Sequence, residues 1–114
     1  MIKRGDIWLV DYDPVKGSEI GKARPSIIVQ NDVGNRFSNT TIVVPITGRI
    51  SEKDYPTDVF ISAKGTGLQK DGSVNCAQIA TVSVQDRVIK RLGSVDWETM
   101  VKIDEALKAS LALD

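Results

Sequence analysis

The sequence predicts a mainly β domain that ends in one helix. Three observations carry this. Short apolar runs rich in Val, Ile and Thr recur through residue 93, each bounded by Gly, Pro, Asn or Asp. The hydrophobic period then changes, with Met100, Ile103, Leu107 and Leu111 at helical spacing. At 114 residues, 41% of them apolar, the chain has the size of one domain spanning 1–114 with a core of its own.

The elements follow in order. Ile7 to Val10 is an apolar run that opens into Asp11-Tyr12-Asp13-Pro14, a turn signal. The next turn is polar and glycine-flanked, Gly17-Ser18-Glu19-Ile20-Gly21-Lys22-Ala23-Arg24-Pro25. Ser26 to Gln30 reads as a central strand, and Asn31 to Asn35 as a loop. Thr40 to Val44 is a strand interrupted at Pro45 and resumed by Ile46-Thr47. A proline there predicts an edge or a bulge, and bulges re-aim side chains. Thr57 to Ile61 alternates as a strand does, Gly65-Thr66-Gly67 is a tight turn, and Val74 to Ile79 continues the sheet. Val88 to Gly93 ends it. Asp96 is then an N-cap with Glu98 in the first turn, predicting a helix to Leu113. That helix would be about 27 Å long, with its apolar stripe packed on the sheet or on a partner.

The polar turn carries the chemical interest. Rigid strands flank it, and Pro25 stiffens the backbone directly after Arg24. A guanidinium presented from such a base suits a phosphate clamp. The alternative is a solvated hairpin loop with an ordinary surface arginine.

Composition narrows the chemistry. The chain has no histidine and one cysteine, Cys76. A His base, His ligands and a thiolate zinc site are all excluded. Cys76 sits in a strand-like run and reads as a small buried hydrophobe rather than a nucleophile. Formal net charge is zero, which argues against a protein that wraps duplex DNA. The charge is uneven, however. Residues 64–93 hold five basic and two acidic side chains, and residues 94–114 hold two basic and five acidic ones. Such asymmetry permits a local basic groove. The N-terminus lacks a signal-peptide pattern, and no run approaches the roughly 20 apolar residues of a membrane span. With an unpaired cysteine, the expected location is the cytoplasm, with no membrane association.

Gly5-Asp6-Ile7-Trp8, Asp13-Pro14, Gly17-Ser18-Glu19, Gly21, Arg24-Pro25 and Asn31-Asp32 together resemble the start of the MazF/PemK toxins of bacterial type II toxin–antitoxin modules. The resemblance continues through Val44-Pro45-Ile46-Thr47 and Gln78-Ile79 to the helix ending in Leu107-Lys108-Ala109-Ser110-Leu111. It implies a small SH3-like barrel of strongly bent antiparallel strands with a C-terminal helix, assembled as a homodimer. It also implies a sequence-selective, metal-independent endoribonuclease, without cofactor, that cleaves single-stranded RNA, chiefly messenger RNA. A cognate antitoxin would neutralise it with an acidic disordered tail. By resemblance Arg24 and Thr47 are the main catalytic residues, with Glu19 in a supporting role and Gln78 the matching glutamine of the later strand. Some PemK-type members carry Arg and Asp flanking the cysteine of that strand, where this chain has Asn75 and Ala77.

The implied reaction is attack of the ribose 2′-hydroxyl on its neighbouring phosphate. Arg24 offers two parallel hydrogen bonds to phosphate oxygens, and Thr47 a short, stiff hydroxyl. The base is open between Arg24, by family precedent, and Glu19, by chemistry. Ser18, Lys22, Asn31, Gln78 and Arg87 are candidate RNA contacts, each otherwise a solvated or turn-capping residue. Trp8, Tyr12 and Phe37 are candidate stacking surfaces, and Phe37, in a polar stretch, is the one expected to be exposed. The rival readings are a nucleic-acid binding module without catalysis and a protein-interaction module.

Overall fold

The structure, a computed structural model, describes residues 1–50 and 53–114. The chain runs β1 (Asp6–Asp11), β2 (Ala23–Ile28), α1 (Asp32–Phe37), β3 (Thr40–Thr47), β4 (Asp58–Ile61) and β5 (Gly72–Asn75). It continues through β6 (Ala80–Ser83), α2 (Val84–Arg87), β7 (Val88–Ser94) and α3 (Trp97–Leu111). The strands form one antiparallel sheet in the order β4-β5-β3-β2-β1-β7, with β6 paired to β3 off that path.

Mainly β with a C-terminal helix is what the sequence predicts, but the expected SH3-like barrel is not formed. Closure needs a hydrogen-bonded ladder all the way round, and β4 and β7 remain the two ends of the path. Packing covers the gap instead. Helix α3 lies against β4, and its Ile103 and Ala106 are buried with Ile7, Val59 and Ile61. The β4–β5 loop abuts β7, where a Cβ on Gly67 or Gly93 would overlap a carbonyl of the other segment. Side chains and two glycines thus do there what a ladder would do in a barrel.

Both faces of the central strands are covered. Ile27 and Val44 join the core under α3, while Ile28 and Val43 join a second cluster with Val10, Tyr12 and Val82. That is why Ser26-Ile27-Ile28-Val29 shows no polar alternation.

Four local expectations change. The Asn31–Asn35 segment is the start of α1, because the Asn31 side chain caps it by accepting the Gly34 N–H at 2.7 Å. The run Val74–Ile79 is not one strand. Asn75 Oδ1 accepts the Ala77 N–H at 3.0 Å, turns the chain and separates β5 from β6. Cys76 is buried in that turn, and burial, then the Asp58 charge, pushes its thiol up to about 12. The α3 helix stops at Leu111, where Ala112 takes a left-handed φ of 56° and Leu113 N–H returns to Lys108 O at 2.8 Å. Leu111 itself is exposed, so the buried stripe is shorter than its spacing suggested.

Pro45 is neither an edge residue nor solvent-exposed. It is buried within β3, where the ladder to β2 ends and the ladder to β5 begins. Residues Val43 to Pro45 pair with β2, and Ile46 and Thr47 pair with β5. The second pairing requires Gly72, since a Cβ there would meet Thr47 O at 2.6 Å. Gly72→Ala should therefore destabilise the protein by about 1–3 kcal/mol through overpacking against backbone. Urea unfolding measures this; an unchanged midpoint would show that the β3–β5 contact is loose.

Candidate active site

The β2–β3 ladder pairs Ile28 with Val43, Ile27 with Val44 and Ser26 with Pro45. Continued by two residues, the same register would set Arg24 opposite Thr47. The ladder stops short of that pair, and beyond it β3 is paired to β5, its neighbour away from β2 in the sheet order. A cavity of about 800 Å³ opens at this point, with Arg24 and Thr47 in its wall. The loop after β3 adds Arg49 and Lys53, and β4 and β5 add Asp58 and Asn75. Among the described residues the lining thus holds three cations and one carboxylate. Ile20, Ile50 and Tyr55 supply apolar surface. Arg24 and Thr47 also line a smaller groove of about 330 Å³ with Pro25, Lys70 and Leu92, so they stand between two openings.

Arg24 is half-buried and held. Its Nε donates to Gly21 O at 2.9 Å, which leaves both terminal nitrogens without a partner among the described residues. The loop behind it is fixed at Lys22, whose φ of 66° lies in the left-handed region. Lys22 N–H donates to Asp13 Oδ1 at 2.7 Å, and Tyr12 N–H donates to Lys22 O at 2.9 Å. The Thr47 hydroxyl is half-buried and likewise has no partner among the described residues. Site groups left in this way can spend their hydrogen bonds on a ligand.

The remaining candidates are dispersed. Glu19, Gln78 and Arg87 share a separate pocket of about 230 Å³, joined to the main cavity through Ile20, which lines both. Glu19 accepts the Lys16 N–H at 2.7 Å within its own loop. Gln78 accepts the Ile20 N–H at 3.5 Å. Arg87 Nη1 donates to Asp11 O at 3.0 Å and Asp13 O at 2.6 Å, tying α2 to the β1–β2 loop. Ser18 and Lys22 are exposed on that loop. Asn31 and Phe37 sit beside the start of β3, while Thr47 ends it, about 23 Å away along the strand. Phe37 is 77% exposed, as its polar surroundings predict, under the Arg36 guanidinium at 5.3 Å. Tyr12 is not a stacking surface: it is buried, with its hydroxyl on Ser26 Oγ at 2.6 Å.

The reading by motif missed Arg49, Lys53, Tyr55, Asp58 and Ser73, all in the main cavity. The signal for two of them was the pair of cations soon after Thr47. Among the described residues no group of three His, Cys, Asp or Glu comes together as a metal site. No helix there is long and apolar enough to cross a membrane.

Residues 3–111 match the family model for the PemK-like, MazF-like toxin of type II toxin–antitoxin system. The chain is 46% identical over 113 residues to Endoribonuclease EndoA of Bacillus subtilis (strain 168), covering 99% of this chain and 97% of that protein. It is similar to the solved structure of an endoribonuclease in complex with its cognate antitoxin from a mycobacterial species. That match has a TM-score of 0.80 at 28% identity and covers 100% of this chain and 98% of the other. MazF from Deinococcus radiodurans superposes with a TM-score of 0.85 over 98% of this chain and 97% of that one, at 20% identity, which is a likeness of fold. The residues that surround the cavity lie within the matched span, and the chain belongs to the family of PemK-like, MazF-like toxins of type II toxin–antitoxin systems.

Proposed function

We propose that this chain is the toxin of such a module and acts as an endoribonuclease, with the cavity between Arg24 and Thr47 as its active site. The reading rests on one observation: two hydrogen-bonding side chains, from strands whose pairing has just ended, share the wall of a cavity with an excess of cations. The similarity to an endoribonuclease at 46% identity over nearly the whole chain supports the reaction class.

In the proposed step the ribose 2′-oxygen attacks the adjacent phosphorus as the bond to the 5′-oxygen breaks. The products are a 2′,3′-cyclic phosphate and a free 5′-hydroxyl. The 2′-hydroxyl proton leaves to a base, and a proton is delivered to the departing oxygen. The Arg24 terminal nitrogens take the phosphate oxygens as negative charge develops. Thr47 adds a hydroxyl donor. Asp58 lines the same cavity and Glu19 does not, so Asp58 is the better placed of the two carboxylates to accept the proton. Glu19, Gln78, Ser18 and Lys22 belong in this reading to the path of the RNA chain beyond Ile20. Single-stranded RNA suits the site because its bases can splay into an open cavity beside Tyr55.

The reading extends to partners. The similar mycobacterial endoribonuclease was solved with its cognate antitoxin, and this chain is assigned an antitoxin of its own. An acidic, disordered tail fits a cation-rich cavity and would compete with RNA. The active particle is assigned as a homodimer. In that arrangement Asn31 and Phe37, remote from Thr47 in one chain, are candidates for contacts to RNA held by the other. A monomer in sedimentation at micromolar concentration would contradict the dimer.

The site assignment is tested by two substitutions. Arg24→Ala should lower kcat by about 100- to 1000-fold with the fold retained, and Arg24→Lys should be poor because an ammonium cannot form the bidentate fork. Thr47→Val keeps the β-branch and removes the hydroxyl, so turnover should fall while the melting temperature changes little. Steady-state kinetics beside circular dichroism decide the matter. Parental rates for Arg24→Ala would remove Arg24 from the site.

A further inference from the structure

Beneath Arg24 lies a buried chain of two hydroxyls that the proposed reaction does not use. Tyr12 Oη and Ser26 Oγ are 2.6 Å apart, and Ser26 Oγ donates to Arg24 O at 3.1 Å. One proton assignment satisfies both bonds: the Ser26 hydroxyl donates to the carbonyl, and the Tyr12 hydroxyl donates to Ser26. Ser26 is fully buried and Tyr12 nearly so. The Ser26 bond reaches the backbone of the strand end that carries Arg24, directly before Pro25. The same tyrosine also holds the loop in front of Arg24, since its own N–H donates to Lys22 O at 2.9 Å.

We infer that Tyr12 and Ser26 are positioning residues for Arg24: through the Arg24 carbonyl they fix the strand end from which its guanidinium reaches the phosphate. Tyr12 holds the loop before Arg24 through its backbone N–H and the strand after it through its hydroxyl, so one residue secures both sides of the arginine. The phenol stays protonated to do this. Burial raises it from 10.0 to about 12, against the smaller opposing effects of Ser26 and the Arg24 charge. It therefore remains a donor throughout the physiological range.

The inference rests on the proposed role of Arg24, and the test separates the two. Tyr12→Phe removes one oxygen and keeps the ring. Ser26→Ala breaks the same chain from its other end, should the tyrosine variant fold poorly. Each is measured for kcat and KM on a defined single-stranded RNA, in the parent and in an Arg24→Lys background, with the folded fraction determined by circular dichroism. The expected result is a fall in kcat of about tenfold per folded molecule, with KM within about twofold, since misplacement of a transition-state group acts on turnover. In the Arg24→Lys background the same change should cost less than about twofold, because the group being positioned is gone. A tenfold loss in both backgrounds, or an unchanged kcat for both variants in the parent, would overturn the inference while leaving Arg24 in the site. Parental activity of Arg24→Lys itself would overturn the role of Arg24 and this inference with it.

Discussion

The ladder between β2 and β3 ends at Ser26 and Pro45, and the site depends on that ending. Strand β3 lies between β2 and β5: one side pairs with β2 at Val43, Val44 and Pro45, and β6 and then β5 pair with the strand at Thr40 to Val43 and at Ile46 and Thr47. A β2–β3 ladder two residues longer would make Arg24 and Thr47 an ordinary cross-strand pair and leave no space between them. A shorter one would separate them. The missing side chain of Gly72 lets β5 approach Thr47. The cavity opens beyond the last β2–β3 pair. The loop that follows β3 brings two of its cations, Arg49 and Lys53.

A rigid base supports this opening. Arg24 is held by its own Nε on Gly21, by the Asp13 and Tyr12 contacts to Lys22, and by the Ser26 hydroxyl on its carbonyl. The outward nitrogens remain available, so the order is already present when a phosphate arrives. Formal net charge is zero, yet among the described residues the cavity lining carries three cations against Asp58. Local excess on a neutral chain attracts a polyanion to one place without coating the whole surface in charge.

Much of this was legible before any coordinates. Arg24-Pro25 and Pro45-Ile46-Thr47 mark the two strand ends because proline leaves a signature in sequence. The change of period at Asp96 marks α3, and Asp96 does cap it, its carboxylate accepting the Thr99 N–H at 2.8 Å. Barrel closure was not legible. It turns on whether β4 and β7 meet, and that is settled by Ile103, Ala106 and the contact between Gly67 and Gly93, residues far apart in sequence. Helix α1 was misread because Asn31 and Asp32 suit a loop and a helix cap equally well. That Asp58 and Asn75 line one cavity is not legible in the sequence, because only the pairing of β4 with β5 brings them together. Glu19 and Arg87 line a pocket separate from the main cavity, each bonded to nearby backbone, a placement set by the β1–β2 loop that their spacing does not reveal.

The central claim is that the ribose 2′-oxygen is the nucleophile at a phosphate held between Arg24 and Thr47. The most direct test uses a short RNA with a mapped cut and a matched copy carrying a single 2′-deoxy substitution at that nucleotide, both incubated in EDTA. The account predicts that the all-ribose strand is cut to a cyclic phosphate and a 5′-hydroxyl, while the substituted strand stays intact at that position. Cleavage of the substituted strand at the same bond, or products bearing a 5′-phosphate, would contradict it.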